Sequence, residues 1–573
     1  MSEQEKVFIF PDPKTKDPDE RFVQRIFEIF PGAITWMILL GLPLLAFLQP
    51  IWVAVFVIAF DLLWIHKSFY ISLYTIAAYK RLRRGISIDW YGLLKDTENI
   101  VESIKRRERE MKDIKKNLQK HSFFSSEFRK IRNILKDRKF EFSLIKPLSD
   151  KQEEVIQHKD IVHIVLFPTA TEGAEIIEPA IRAVKESDFP NEQIIIVLAT
   201  EENEEKEKRE EKIRILRKKF KNVFRDFLVT VHKVKDGEMK CKASNATYAA
   251  KELCLYLNER DIDYKRVILS NFDCDTVCHK KYFSALTFLY TTDKDRLCHA
   301  YQPLPMYNNN IWDTNAIVRI VVFNSTFWHM FKSTRDRMVT FSSHSEPFDT
   351  IVKLNFWPVN MISEDSIIYW KGYSYFDGKY TTKIVPLPVS MDAALADTYG
   401  KTLVNQYKQL RRWAYGMENL ALIMRSNLPN KNISFWKKWL VALELVEGHV
   451  LWATAPIILG FMGWLPLWFG GAEFKESVLA HNLPFISGTL MSIAMIGLLI
   501  IVSLNFLLLP PKPKEYSRWR YSFFVFQWLL VPFMGPFFAA LPAIDAQTRL
   551  LLGKYFGSFW VTEKIRKKSI SMQ

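Results

Sequence analysis

Three short patterns carry groups able to do chemistry: Asp273-x-Asp275, Glu364-Asp365 and Gln409-x-x-Arg412-Trp413. The first closes the apolar stretch 267–272. Side chains two apart at the end of a strand point the same way. Two carboxylates so placed suit a hard divalent cation, and Mg2+ or Mn2+ fits an all-oxygen site. Such a cation stabilises the negative charge that builds on a departing diphosphate. Glu364-Asp365 offers a proton acceptor, or simply two acids that favour a helix N-terminus. Trp413 can pack on the apolar face of a sugar, and Arg412 can reach a pyrophosphate. The same two residues would also serve as an interface anchor and a snorkelling base. Cys274-x3-Cys278-His279 has no second ligand pair nearby, so the five cysteines read as reduced thiols.

Something must position these groups, and 573 residues are too many for one core. A net charge of +16 raises nucleic acid as a partner, but no nucleic-acid motif is present, so none is expected. The excess Lys and Arg fit cytoplasmic loops of a membrane protein instead. Seventeen tryptophans fit interface belts or sugar platforms. The expected organisation begins with a cytosolic arm at 1–30 and a transmembrane hairpin at 31–79, whose apolar spans are 33–48 and 51–77. Lys80, Arg81, Arg83 and Arg84 then return the chain to the cytosol. A charged helical connector follows at 80–157, reading as solvated. From 158 to 400, apolar strands (161–167, 194–198, 227–234 and the stretch ending at Asp273) alternate with helices (174–187, 201–220, 242–259). Alternation of this kind predicts a mostly parallel sheet with helices on both faces, binding ligands at the carboxyl ends of its strands. Residues 401–436 form amphipathic interface helices carrying Gln409, Arg412 and Trp413.

The C-terminal region, 437–552, holds spans at 439–469 and 483–509. Residues 521–552, broken by Pro532, Gly535, Pro536 and Pro542, are too short for two full spans. With a basic tail at 553–573, an even number of crossings is expected, and hence a short hairpin or a re-entrant segment. Glu444, Glu447 and His449 lie inside the third span, where ionisable groups face a wet cavity or lie at the interface.

A hairpin, an α/β domain, and DxD, ED and QxxRW in that order before a membrane bundle resemble the processive family 2 glycosyltransferases, the cellulose, chitin and hyaluronan synthases. The likeness covers roughly 161–564. Phe559-x-Val561-Thr562-x-Lys564 is similar to that family's gating loop. The resemblance implies a GT-A-type glycosyltransferase domain inserted in an α-helical transmembrane bundle. The chain would be a multi-pass plasma-membrane protein whose catalytic domain is cytosolic.

On that likeness Asp275 holds the metal, with Asp273 contacting metal or ribose. Asp365 is the general base and Glu364 stands beside it at the acceptor. Lys242, in a segment similar to the family's K-A-x-N, meets a phosphate. Gln409 and Arg412 contact the donor and Trp413 the acceptor end. Two motifs depart from the family: its P-x-Y-N-E reads Pro168-Thr169-Ala170-Thr171-Glu172, and its aspartate pair after the second strand reads Ala199-Thr200-Glu201-Glu202. Glu172 and Glu201 remain as candidate nucleotide-binding acids, with uridine the favoured base. The implied activity is an inverting, processive β-glycosyltransferase. It takes a UDP-sugar donor, extends a polysaccharide acceptor and moves it through its own bundle across the lipid bilayer. Secretion or oligomerisation partners are not named by the sequence. The alternatives are a non-processive enzyme making a glycolipid and a catalytically degenerate scaffold.

Overall fold

The computed structural model describes residues 8–335 and 337–557. Its centre is an eight-stranded sheet in the order β3-β2-β1-β4-β7-β6-β8-β5. The strands are β1 (Val162–Pro168), β2 (Ile194–Glu201), β3 (Asp226–His232), β4 (Val267–Asn271), β5 (Val277–Cys278), β6 (His299–Met306), β7 (His344–Pro347) and β8 (Thr381–Ser390). The half made of β1 to β4 is parallel, as the alternating pattern predicts. β1, β2 and β4 are buried throughout, which is why they read as continuous apolar runs. The other half corrects the expectation of a mostly parallel sheet. β7 runs antiparallel to β4 and β6, β5 antiparallel to β8, and β6 parallel to β8.

Helices pack on both faces. Ala174–Lys185 and Tyr282–Thr291 close one apolar layer, and Lys242–Asn258 the other. Lys206–Phe220 begins five residues later than expected, so Glu201 ends β2 rather than opening the helix. The connector forms two helices, Ile100–Gln119 and Ser126–Ile145, packed against each other. It is not wholly solvated: buried Arg107 bridges Asp96 and Glu141.

Among the described residues five helices are long and apolar enough to cross a membrane: Pro18–Leu48, Pro50–Ser87, Phe435–Gly460, Val478–Leu508 and the run Arg520–Leu551. The first starts well before the expected span, capped by Asp17, whose carboxylate accepts the amides of Asp19 and Glu20. The preceding arm is docked on the soluble domain: Phe8 meets Tyr375, and the Asp12 carbonyl accepts from Arg425. The last run winds through a π-turn at Pro536–Ala540. Near its start, Arg520 donates to the Trp312 carbonyl and Gln527 accepts from Arg319. Near its end, Asp545 pairs with Arg411 at 2.9 Å. Its middle, at Gly535, lies against Pro456, deep in the Phe435–Gly460 helix. One end of this run therefore sits against the sheet domain and the other against the helix that carries Arg411.

Candidate active site

β4 stops at Asn271, so Asp273 and Asp275 stand in the turn beyond it, and strand period does not set their direction. Asp275 is 1% exposed, and its Oδ2 accepts the Asp392 amide at 2.7 Å. Asp273 faces outward, accepting from the Ser342 hydroxyl at 2.5 Å and from Lys242 at 2.8 Å. Both aspartates line one cavity.

Lys242 opens its helix beside this turn. Its Nζ lies 2.8 Å from Asp273, 3.1 Å from Asp365 and 3.9 Å from Glu364. Burial disfavours its charge, but the three carboxylates outweigh that and hold its pKa above the ordinary lysine value. Glu364 and Asp365 occupy the first turn of the Glu364–Tyr375 helix. Glu364 is buried, and desolvation with the neighbouring Asp365 pushes it up to about 8. The turn is anchored from behind: Ser363 donates its amide to Glu418 at 3.3 Å and its hydroxyl at 2.7 Å. Burial pushes Glu418 up to about 7. Asp365 also faces His344, whose Nδ1 is 3.7 Å away.

Gln409, Arg412 and Trp413 sit on the Tyr399–Ala414 helix, within the 401–436 stretch expected to form amphipathic helices. Trp413 packs against Tyr307 with ring centroids 5.9 Å apart and the rings tilted at 43°, and Gln409 accepts from Gln406 at 3.0 Å. All three line the same cavity as the acids. Glu172 turns onto its own loop, where Oε2 accepts the amides of Ala170 and Thr171 at 2.8 and 3.1 Å. Glu201 ends β2 and reaches His232 on β3. Phe559, Val561, Thr562 and Lys564 lie outside the described residues. The chain leading to them is fixed, with Phe556 against the Tyr415 ring and beneath the guanidinium groups of Arg411 and Arg549.

The cavity measures about 1630 Å3. From the acids it continues past Trp413 and along the Phe435–Gly460 helix to Trp452 and Pro456. Glu444, Glu447 and His449 line it, so these polar groups in an apolar helix face the cavity. Glu447 pairs with Lys67 at 2.7 Å, and Glu444 lies 3.7–3.9 Å from Lys332, Arg335 and Arg337. Sequence reasoning missed Ser342, His344, Glu418 and these bases, because no fixed spacing links them to the motifs they serve.

The donor set fits a divalent cation in one respect. Hard carboxylate oxygens at Asp273 and Asp275 border one cavity, and Mg2+ is ordinarily held by one or two carboxylates plus substrate phosphates. Among the described residues no cluster of three or more His, Cys, Asp or Glu could hold a metal by itself. Lys242 already neutralises part of the acid charge, so a cation would share Asp273 with it.

The sequence matches no known protein family and no curated protein. Several solved structures are similar in fold at low identity. One is the mannosyltransferase PcManGT from Pyrobaculum calidifontis, solved with GDP-Man and Mn2+: 13% identity, 69% of this chain and 88% of that chain covered, TM-score 0.36. Another is S. aureus TarS, at 10% identity, 59% and 54% coverage, and TM-score 0.25. A third is GalNAc-T7, solved with UDP, GalNAc and Mn2+, at 12% identity, 51% and 58% coverage, and TM-score 0.31. At such scores the likeness carries no weight for the activity of this chain.

Proposed function

We propose that the chain is a membrane-embedded, inverting, processive β-glycosyltransferase of GT-A type that uses a UDP-sugar with Mg2+ or Mn2+. The observation that carries this reading is the single cavity. It joins Asp273, Asp275, Lys242, Asp365 and Trp413 and then runs on along an apolar helix. A transferase acting once on a small water-soluble acceptor has no use for that extension.

In this reading Asp273 and Asp275 hold the cation, which supplies charge stabilisation for the departing diphosphate. Lys242 adds a fixed positive charge on the same side. The acceptor hydroxyl attacks the anomeric carbon from the face opposite the leaving group, and its proton passes to Asp365. The new C–O bond forms as the bond to the β-phosphate breaks, so an α-linked donor gives a β-linkage and free nucleoside diphosphate. Trp413 floors the acceptor end. Glu364, neutral below about pH 8, adds no second negative charge beside the base. The Arg520–Leu551 run enters the bilayer and returns, leaving four full crossings and both chain ends on the cytosolic side.

A screen of UDP-sugars for UDP release by purified protein, with Mg2+ or Mn2+, tests the proposal. Release with at least one donor is expected, and Asp365→Asn should lower it about a hundredfold or more. No release with any donor, or an undiminished rate in Asp365→Asn, would overturn it.

A further inference from the structure

The strand order locates the far end of a nucleotide. Asp273 follows β4, β1 is its neighbour, and β2 comes next. Strands lie about 4.8 Å apart, so the end of β2 is roughly 10 Å from the acids, about the reach from a diphosphate to its base. Glu201 stands there, 3% exposed and lining the cavity. Its neighbour in register on β3 is His232, which is fully buried. His232 Nδ1 lies 3.3 Å from Glu201 Oε1, and its Nε2 lies 3.0 Å from Glu238 Oε2. Glu238 in turn accepts the Lys235 amide at 2.9 Å. The Tyr248 ring covers the imidazole at 5.3 Å. Burial works against a charged ring here, but the two carboxylates more than offset it, so His232 holds its proton more tightly than an ordinary histidine. Both ring nitrogens then donate. Glu201 Oε1 is committed to His232, while Oε2 is buried with no hydrogen-bond partner.

We infer that His232 sets the base selectivity of the donor site by leaving Glu201 a single acceptor oxygen. The inference rests on the donor reading above. One acceptor matches uracil, which presents one N–H between two carbonyls. Guanine presents two adjacent N–H groups and needs both oxygens of a carboxylate. Cytosine and adenine place a ring-nitrogen lone pair at the same point, where it meets the carboxylate unpaired. A site built around one hydrogen bond rejects bases that leave it unmade.

The test is binding of UDP, GDP, CDP and ADP, with Mn2+, to the full chain in detergent or nanodiscs. Wild type should prefer UDP by about a hundredfold or more. His232→Leu frees Oε1 and should collapse the preference over GDP below about tenfold while that over CDP and ADP remains, and His232→Asn, whose amide can replace Nδ1–H, should keep all three. In Glu201→Gln the amide oxygen faces His232 and its NH2 faces the base, so CDP should gain on UDP. A gain of GDP binding in His232→Leu cannot come from misfolding; if that variant does not fold, kept ratios in His232→Asn together with a CDP gain in Glu201→Gln test the same hydrogen bond. A wild type that prefers GDP, or unchanged ratios in His232→Leu and Glu201→Gln, would overturn the inference and leave sugar transfer standing. No binding of any nucleoside diphosphate would overturn the donor reading itself.

Discussion

Glu364 and Asp365 are adjacent in sequence but differ in environment. Asp365 reaches the cavity within range of Lys242, while Glu364 is turned inward and pushed up to about 8 from an ordinary 4.5. A carboxyl raised by folding contributes stability fully below its unfolded pKa, and that contribution is lost as pH rises through its folded pKa. Melting temperatures of wild type and Glu364→Gln should therefore agree near pH 4.5 and diverge as pH rises to about 8, with wild type losing ground. A difference that does not change over that range would show that Glu364 is not so perturbed. The motif acids were legible as residues, because their types and order are distinctive. Their partners were not: Ser342, His344 and Glu418 come from distant segments that only the fold brings together. Glu172 shows the reverse case, a motif residue spent on its own loop amides.

At the scale of elements, the Pro50–Ser87 helix ties the apolar helices to the sheet domain where Gly85 touches β8. A Cβ at Gly85 would stand 1.9 Å from the Pro386 carbonyl oxygen. Gly85→Val should accordingly cost about 1–3 kcal/mol, read as lowered thermal stability. An unchanged melting curve would mean the helix is not seated there. Strands β1, β2 and β4 were legible because each is a compact apolar run buried on both faces. β5 to β8 were not: β5 has two residues, β7 four, and β8 is half-exposed with Pro386 and Pro388 inside it. Their pairing depends on distant partners rather than on local pattern. The connector read as wholly solvated because its few buried residues, among them Leu93, Leu94, Ile100 and Arg107, are scattered among many charged neighbours.

Across the whole molecule, the apolar helices and the soluble domain share a cavity, and that sharing explains the polar residues set in an apolar helix. Lys67, Glu444 and Glu447 meet there rather than facing lipid, as the cost of burying charge in hydrocarbon demands. The long apolar helices were legible from apolar length, but the path of 520–551 was not, since its prolines fit several geometries. Gly448 lines the cavity with open space where a Cβ would stand. A tryptophan there should obstruct the extension without touching the acids, so Gly448→Trp should shorten the product while nucleotide release in the first turnovers persists. Polymer synthesis with transfer across the bilayer is tested most directly by product analysis in sealed vesicles carrying the protein with its sheet domain outward. Labelled donor is supplied outside, and the product is sized before and after treatment with an external glycosidase. The account predicts a long β-linked polymer protected inside the vesicles. A single sugar on a lipid, or a polymer left wholly outside, would contradict it.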